Sequence, residues 1–134
     1  MRTPSQTVGP YFTLGLCTRP QHELPGGAVE LRGRVLDGDG EAIDDALVEI
    51  WAPEDGFGRS GTDAQGEFRF LLPAGVRRFE VMVFARGLLK PVLTRLYLPG
   101  EAAEDPTMVA EQDGAGLRFD VRLQGERETA FFEL

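Results

Sequence analysis

The sequence predicts an all-β chain: an antiparallel β-sandwich of seven or eight short strands, led by an extended N-terminal arm. Three observations carry this reading. Apolar and polar residues alternate over brief runs, the period of a strand with one buried face. Seventeen glycines and nine prolines punctuate the 134 residues at short intervals, as turns between strands require. Helical spacing is nearly absent; only 101–112, EAAEDPTMVAEQ, has a helical look, and Pro106 interrupts it.

The arm comes first. TPSQTVGPYF (3–12) has no helical period, and Pro4 and Pro10 each remove a backbone donor and bias the preceding residue toward extended geometry. Pro20–Gly27 is a loop joining it to the first strand. AVELRGRVL (28–36) places Val29, Leu31, Gly33 and Val35 on one face and Glu30, Arg32 and Arg34 on the other. DGDGE (37–41) is a turn cluster whose Asp and Gly tolerate positive φ. ALVEIW (46–51) and EFRFLL (67–72) are further strands, the second introduced by the turn at 63–66. RFEVMVFAR (78–86) is apolar on both faces, as a central strand should be, and PVLTRLYL (91–98) follows it. GLRFDVRLQ (116–124) turns Leu117, Phe119, Val121 and Leu123 inward and Arg118, Asp120 and Arg122 outward. ETAFFEL (128–134) closes the chain as an edge strand. With no repeat and no internal linker, residues 1–134 read as a single domain, 1–27 arm and loop and 28–134 sandwich. Trp51 and the phenylalanines of 68–84 read as core.

Composition narrows the function. Apolar content of 42% and charged content of 27% suit a folded soluble domain. A net charge of −8 argues against nucleic acid, whose phosphates demand neutralising cations. No apolar run approaches a membrane span, and no apolar leader opens the chain. One cysteine, Cys17, precludes an intrachain disulfide and fits a reducing cytoplasm.

The inventory of catalytic side chains is thin. His22, the only histidine, lies in the polar loop RPQHELPGG and reads as solvated. One His and one Cys in separate loops cannot supply a catalytic metal cluster of three or four ligands. DGDGE lacks calcium-loop spacing, and no nucleophile elbow surrounds Ser5 or Ser60. On residue chemistry alone the chain does not catalyse a reaction by itself.

Several stretches together resemble one family. TPSQTVGPYF (3–12), GRVLDGDGEAIDDALVEIWAPEDG (33–56), GRSGTDAQGEFRF (58–70), FARG (84–87), LTRLYLPGE (93–101) and RFDVRLQGERETAFFEL (118–134) are similar, in order, to the intradiol ring-cleaving dioxygenases. The resemblance implies a prealbumin-like sandwich and αβ protomers in a hetero-oligomer. It implies that a homologous β chain holds Fe(3+) through two tyrosines and two histidines. The reaction so implied opens protocatechuate with O₂ to 3-carboxy-cis,cis-muconate, a step of aromatic catabolism in the β-ketoadipate pathway. This chain departs from the ligand set. The family's His-x-His pair matches Arg78 and Glu80; its tyrosines would fall after Trp51 and between Leu72 and Phe79, where there is none, and both connections are short. The resemblance therefore assigns this chain no metal and no catalytic residue, and makes it the iron-free partner.

It also gives the arm a purpose. Carried over, the resemblance assigns substrate binding at a shared pocket to Thr7, Gly9, Pro10, Tyr11 and Arg86. Gly9 and Pro10 permit a rigid approach of backbone to an aromatic ring, and Thr7 and Tyr11 offer hydroxyls. Pro10–Phe12 would serve equally as an apolar plug between subunits, and Arg86 as an anchor for the arm or a solvated side chain. Two other readings stand beside this one. A non-catalytic sandwich binding module, of the transthyretin or carboxypeptidase-regulatory-like type, explains 29–72 but leaves 3–12 and 118–134 idle. A stand-alone dioxygenase with unusual ligands must manage with one histidine and two tyrosines.

Overall fold

A computed structural model describes residues 21–53, 55–85, 88, 90–124 and 128–132. Among the described residues nine strands follow in order: β1 (Gly27–Leu36), β2 (Leu47–Ala52), β3 (Gly56–Gly61), β4 (Glu67–Pro73), β5 (Arg78–Phe84), β6 (Val92–Tyr97), β7 (Glu111–Asp113), β8 (Gly116–Arg118) and β9 (Val121–Arg122). One sheet runs β4-β1-β8-β7 with β9 also on β1; the other runs β3-β2-β5-β6. Their inner faces share one core. Leu31, Val35, Phe68, Phe70 and Leu72 meet Val48, Ile50, Phe79, Val81 and Val83, all buried. The sandwich expected from the alternating runs is the fold observed.

Details differ from expectation for physical reasons. β3 was not anticipated, because glycines at 56, 58 and 61 read as turn residues; here Gly56 and Gly58 let the strand lie close to Pro25 and Leu24 of the segment that crosses it. The run 116–124 divides into β8 and β9, and both lie parallel to β1 rather than antiparallel. Asp120 causes the break: its Oδ1 accepts the Arg34 amide at 3.0 Å, so a side chain replaces a ladder carbonyl. The stretch 101–112 forms no α-helix. Asp105 caps a single 3-10 turn, Pro106–Met108, and β7 follows. Within 128–132 one bridge, Phe132 to Leu93, stands where an edge strand was expected.

Two buried hydroxyls fasten that tail. Thr94 Oγ1 donates to the Ala130 carbonyl at 2.7 Å, and Thr129 Oγ1 accepts the Arg122 amide at 2.8 Å. Both threonines are buried, so each bond satisfies a group that would otherwise be costly. At the opposite side, residues 21–24 stitch the two sheets together. The Arg59 amide of β3 donates to the Gln21 carbonyl at 2.8 Å, and the Leu71 amide of β4 donates to the His22 carbonyl at 3.0 Å. Leu24 drops fully into the core between them. The edges of β3 and β4 are thereby covered.

Gly33 marks the tightest approach in the core. A Cβ there would stand 1.7 Å from the Phe119 carbonyl oxygen and 2.7 Å from the Phe68 ring. The obstacle is backbone, which cannot turn aside. Gly33→Ala is expected to lower the denaturant midpoint well beyond Gly40→Ala. Gly40 has φ 81° and open space around it, so alanine meets only left-handed strain of about 1–2 kcal/mol. Equal losses in urea titrations of the two variants would contradict this packing.

Candidate functional site

The pleat of the four-stranded sheet fixes what it shows outward. Val48 and Ile50 of β2, and Val81 and Val83 of β5, point into the core, so Glu49, Trp51, Glu80 and Met82 point out. Trp51, expected in the core, is therefore half-buried on the outer face. It pairs in register with Phe57 of β3 on one side and Glu80 of β5 on the other. Phe57 is 45% exposed. A groove of about 560 Å³ runs here, lined by Glu49, Trp51, Ala52, Pro53, Gly56, Phe57 and Met82.

The charges on this face are paired. Arg59 donates from Nε to Glu49 Oε2 at 2.9 Å, and its guanidinium stacks 5.5 Å above the Phe57 ring. One strand pair away, Arg95 of β6 donates from Nε to Glu80 Oε2 at 3.0 Å. Arg95 also grips Glu104 beyond β6, while the Phe132 ring covers it at 4.6 Å. The Tyr97 hydroxyl donates to Glu104 as well. Arg95 thus clasps three separated segments: a central strand, the 98–105 connection and the tail. The Tyr97 hydrogen bond, helped by Arg95, holds the Glu104 carboxyl below the usual carboxylate range. Asp105 lies low too, because the Thr107 hydroxyl and amide both donate to it.

Of the residues assigned to substrate, Thr7, Gly9, Pro10, Tyr11 and Arg86 all lie outside the described residues, as does Cys17. The nearest described residues are Gln21, whose carbonyl accepts the Arg59 amide, and Ala85, which follows β5. His22 serves through its carbonyl, on β4. Sequence reasoning missed both the outer-face groove and the Arg95 clasp. The groove had a signal, since Trp51 alternates with Val48 and Ile50.

Comparison with known proteins now decides the family. The chain is 34% identical to the protocatechuate 3,4-dioxygenase alpha chain of Burkholderia cepacia, covering 99% of this chain and 98% of that one. To the same-named chain of Pseudomonas putida it is 32% identical, over 98% and 96%. The chain belongs to the protocatechuate 3,4-dioxygenase alpha-chain family. It is thus a subunit of the intradiol dioxygenase type, and the binding-module alternative falls away. Solved structures agree on the fold. The dioxygenase domain of a dioxygenase carbohydrate-binding fusion from Streptomyces sp. SirexAA-E superposes with TM-score 0.60 at 23% identity, over 79% of this chain and 88% of that one. Catechol 1,2-dioxygenase from Pseudomonas arvilla C-1 gives 0.58 at 18%, over 83% and 60%. No family model matches the sequence. The first alignment spans 192 positions against 134 residues here, so several dozen positions of the alpha-chain relative have no counterpart.

The iron of intradiol dioxygenases does not fit the residues this family member presents. At the matched positions Arg78 is an exposed cation, and Glu80 is already committed to Arg95. Strand β2 ends at Ala52 with β3 starting at Gly56, and β4 ends at Pro73 with β5 starting at Arg78. Neither connection has room for a loop bringing tyrosine over the sheet. Among the described residues no three His, Cys, Asp or Glu side chains gather as metal ligands. No helix among them is long and apolar enough to cross a membrane.

The low-lying Glu104 gives the clasp a pH dependence. A carboxyl depressed by folding stabilises above its unfolded pKa, and that contribution is lost as pH falls through its folded value. Melting temperatures from pH 7 downward are expected to fall more steeply for the native chain than for Glu104→Gln. The two curves converge once Glu104 is protonated. Parallel curves throughout would show that Glu104 contributes nothing.

Proposed function

We propose that this chain is the non-iron-binding alpha subunit of a protocatechuate 3,4-dioxygenase. It pairs with a homologous beta subunit that carries Fe(3+), in αβ protomers of a cytoplasmic hetero-oligomer. The observation that carries this reading is near full-length identity to two chains of that name. The Glu80–Arg95 ion pair supports it, because a cation fixed beside the matched ligand position repels ferric iron.

The reaction is cleavage of protocatechuate by O₂ between its two hydroxylated carbons, giving 3-carboxy-cis,cis-muconate. The partner's iron, when bound, activates the catechol toward O₂. This chain binds and orients. Gly9 and Pro10 bring rigid backbone against the ring, and Thr7 and Tyr11 hydroxyls bond the substrate carboxylate or an ordered water. Arg86 offsets the anionic charge of the acid, and the arm as a whole excludes water from the pocket.

Purified alone, the chain is expected to hold no iron and cleave no ring. Combined with an iron-bearing beta chain it is expected to yield a ferric–tyrosinate colour and activity. Within that complex Tyr11→Ala should raise KM severalfold with kcat changed by about twofold at most, the pattern of lost ground-state binding. Weakened assembly with unchanged kinetics would make the arm a plug instead. Stoichiometric iron and ring cleavage by the isolated chain would overturn the reading.

A further inference from the structure

The outer face of the five-stranded sheet carries a row of cations that the fold does not require. Arg69 of β4 stands in register opposite Arg32 of β1, and Arg32 stands opposite Arg118 of β8. Like charges placed directly across a sheet are unfavourable. Carboxylates answer only part of the row. Glu30 reaches Arg32 at 3.2 Å, Asp120 reaches Arg118 at 3.2 Å, and Glu67 lies 3.7 Å from Arg32 and 3.9 Å from Arg118. Arg34, Arg69 and Arg122 have no ion pair among the described residues. A chain of net −8 thus keeps unpaired cations on this one face.

The row ends in a cleft. A cavity of about 460 Å³, a size that suits a small ligand, opens where β8 and β9 meet the 3-10 turn and the tail. Pro106 and Val109 line one side, and Arg118, Arg122 and Thr129 another. The walls are tied together. Thr107 Oγ1 accepts the Ala130 amide at 2.9 Å, and the Thr129 amide donates to the Arg122 carbonyl at 2.9 Å. Thr129 is buried and its Oγ1 accepts the Arg122 amide, yet the hydroxyl hydrogen has no acceptor among the described residues. A buried donor left unused is costly. Two carboxylates also line the cleft. Asp120 Oδ1 is committed to the Arg34 amide and to Arg118, while Glu111 is exposed on β7, in register with Arg118.

We infer that this cleft binds a small organic monocarboxylate. Its carboxylate is held by the Arg122 guanidinium and the Thr129 hydroxyl, and its apolar body lies against Pro106 and Val109. Each group selects. Arg122 demands an anion, the apolar side favours a carbon skeleton over a bare oxyanion, and Glu111 admits one negative charge beside Arg122 while opposing a second. The inference needs no partner chain and goes beyond the subunit reading.

The test titrates the full chain, labelled with ¹⁵N, with sodium benzoate, benzamide and inorganic phosphate at constant ionic strength, reading backbone amide shifts by NMR. Benzoate is expected to shift the Arg122 and Thr129 amides saturably. Benzamide, which lacks the charge, and phosphate, which lacks the apolar body, should each bind about tenfold more weakly or worse. Arg122→Gln should weaken benzoate about tenfold. Arg77→Gln removes an exposed cation outside the cleft and should change it about twofold at most. Thermal melting verifies that both variants fold, and the benzamide comparison needs no variant. Benzoate shifts that never saturate, equal affinity for benzoate and benzamide, or native-like binding by folded Arg122→Gln would each overturn the inference. Phosphate binding as tightly as benzoate would overturn it too, because the apolar side would then select nothing.

Discussion

Val48 and Ile50 of β2 face Val83 and Val81 of β5 in a register that the core holds from below. A slip of one residue would send four aliphatic side chains into water and bring Glu49, Trp51, Glu80 and Met82 into the core, at a cost of several kcal/mol for the aliphatics alone. That register determines the outer face completely. It sets Trp51 between Phe57 and Glu80, aligns Glu80 with Arg95, and aligns Glu49 with Arg59. The groove and the clasp are thus consequences of core packing.

The clasp ties the sandwich together around Glu80, where the residues present do not fit iron. A metal ties together segments distant in sequence because its ligands come from each of them. Arg95 does comparable mechanical work through Glu80, Glu104 and Phe132, drawn from three segments. Each bond is modest, as partly exposed ion pairs are. Their concentration on one guanidinium, with buried Thr94 and Thr129 anchoring the same tail, makes the tail part of the sheet's outer face.

Much of the fold was legible because alternation is a strong signal where one face is buried. Leu31 and Val35 near the start, and Leu117, Phe119 and Val121 near the end, were assigned inward from period alone, whereas 78–86 read as apolar on both faces and left the side of Val81 and Val83 open. What escaped depends on side chains overriding the backbone pattern. Asp120 intercepts an amide and splits one expected strand in two; glycines in β3 are chosen for a close crossing by Leu24 and resemble turn residues in the sequence. Trp51 was misplaced for another reason: residue type outweighed position, although its own strand's alternation puts it outside. The substrate assignments at Thr7, Gly9, Pro10, Tyr11 and Arg86 come from resemblance, since the stretch 3–12 has no periodicity to read.

Short connections link these points. In a chain whose β2–β3 and β4–β5 turns are this tight, no loop from either connection can fold over the four-stranded sheet. The same brevity that removes the segments for ligand tyrosines therefore uncovers Trp51 and Phe57. Leaving such a face bare in water forgoes the hydrophobic gain of covering it, about 25 cal/mol for each Å² of apolar surface. It also invites indiscriminate association. Pairing each charge within the face, Glu49 to Arg59 and Glu80 to Arg95, leaves no lone charge of these four on it, although covering an ion pair still costs desolvation. The brevity of these two connections and the openness of the Trp51–Phe57 face are then one structural fact, because chain long enough to fold over the sheet is what both connections lack.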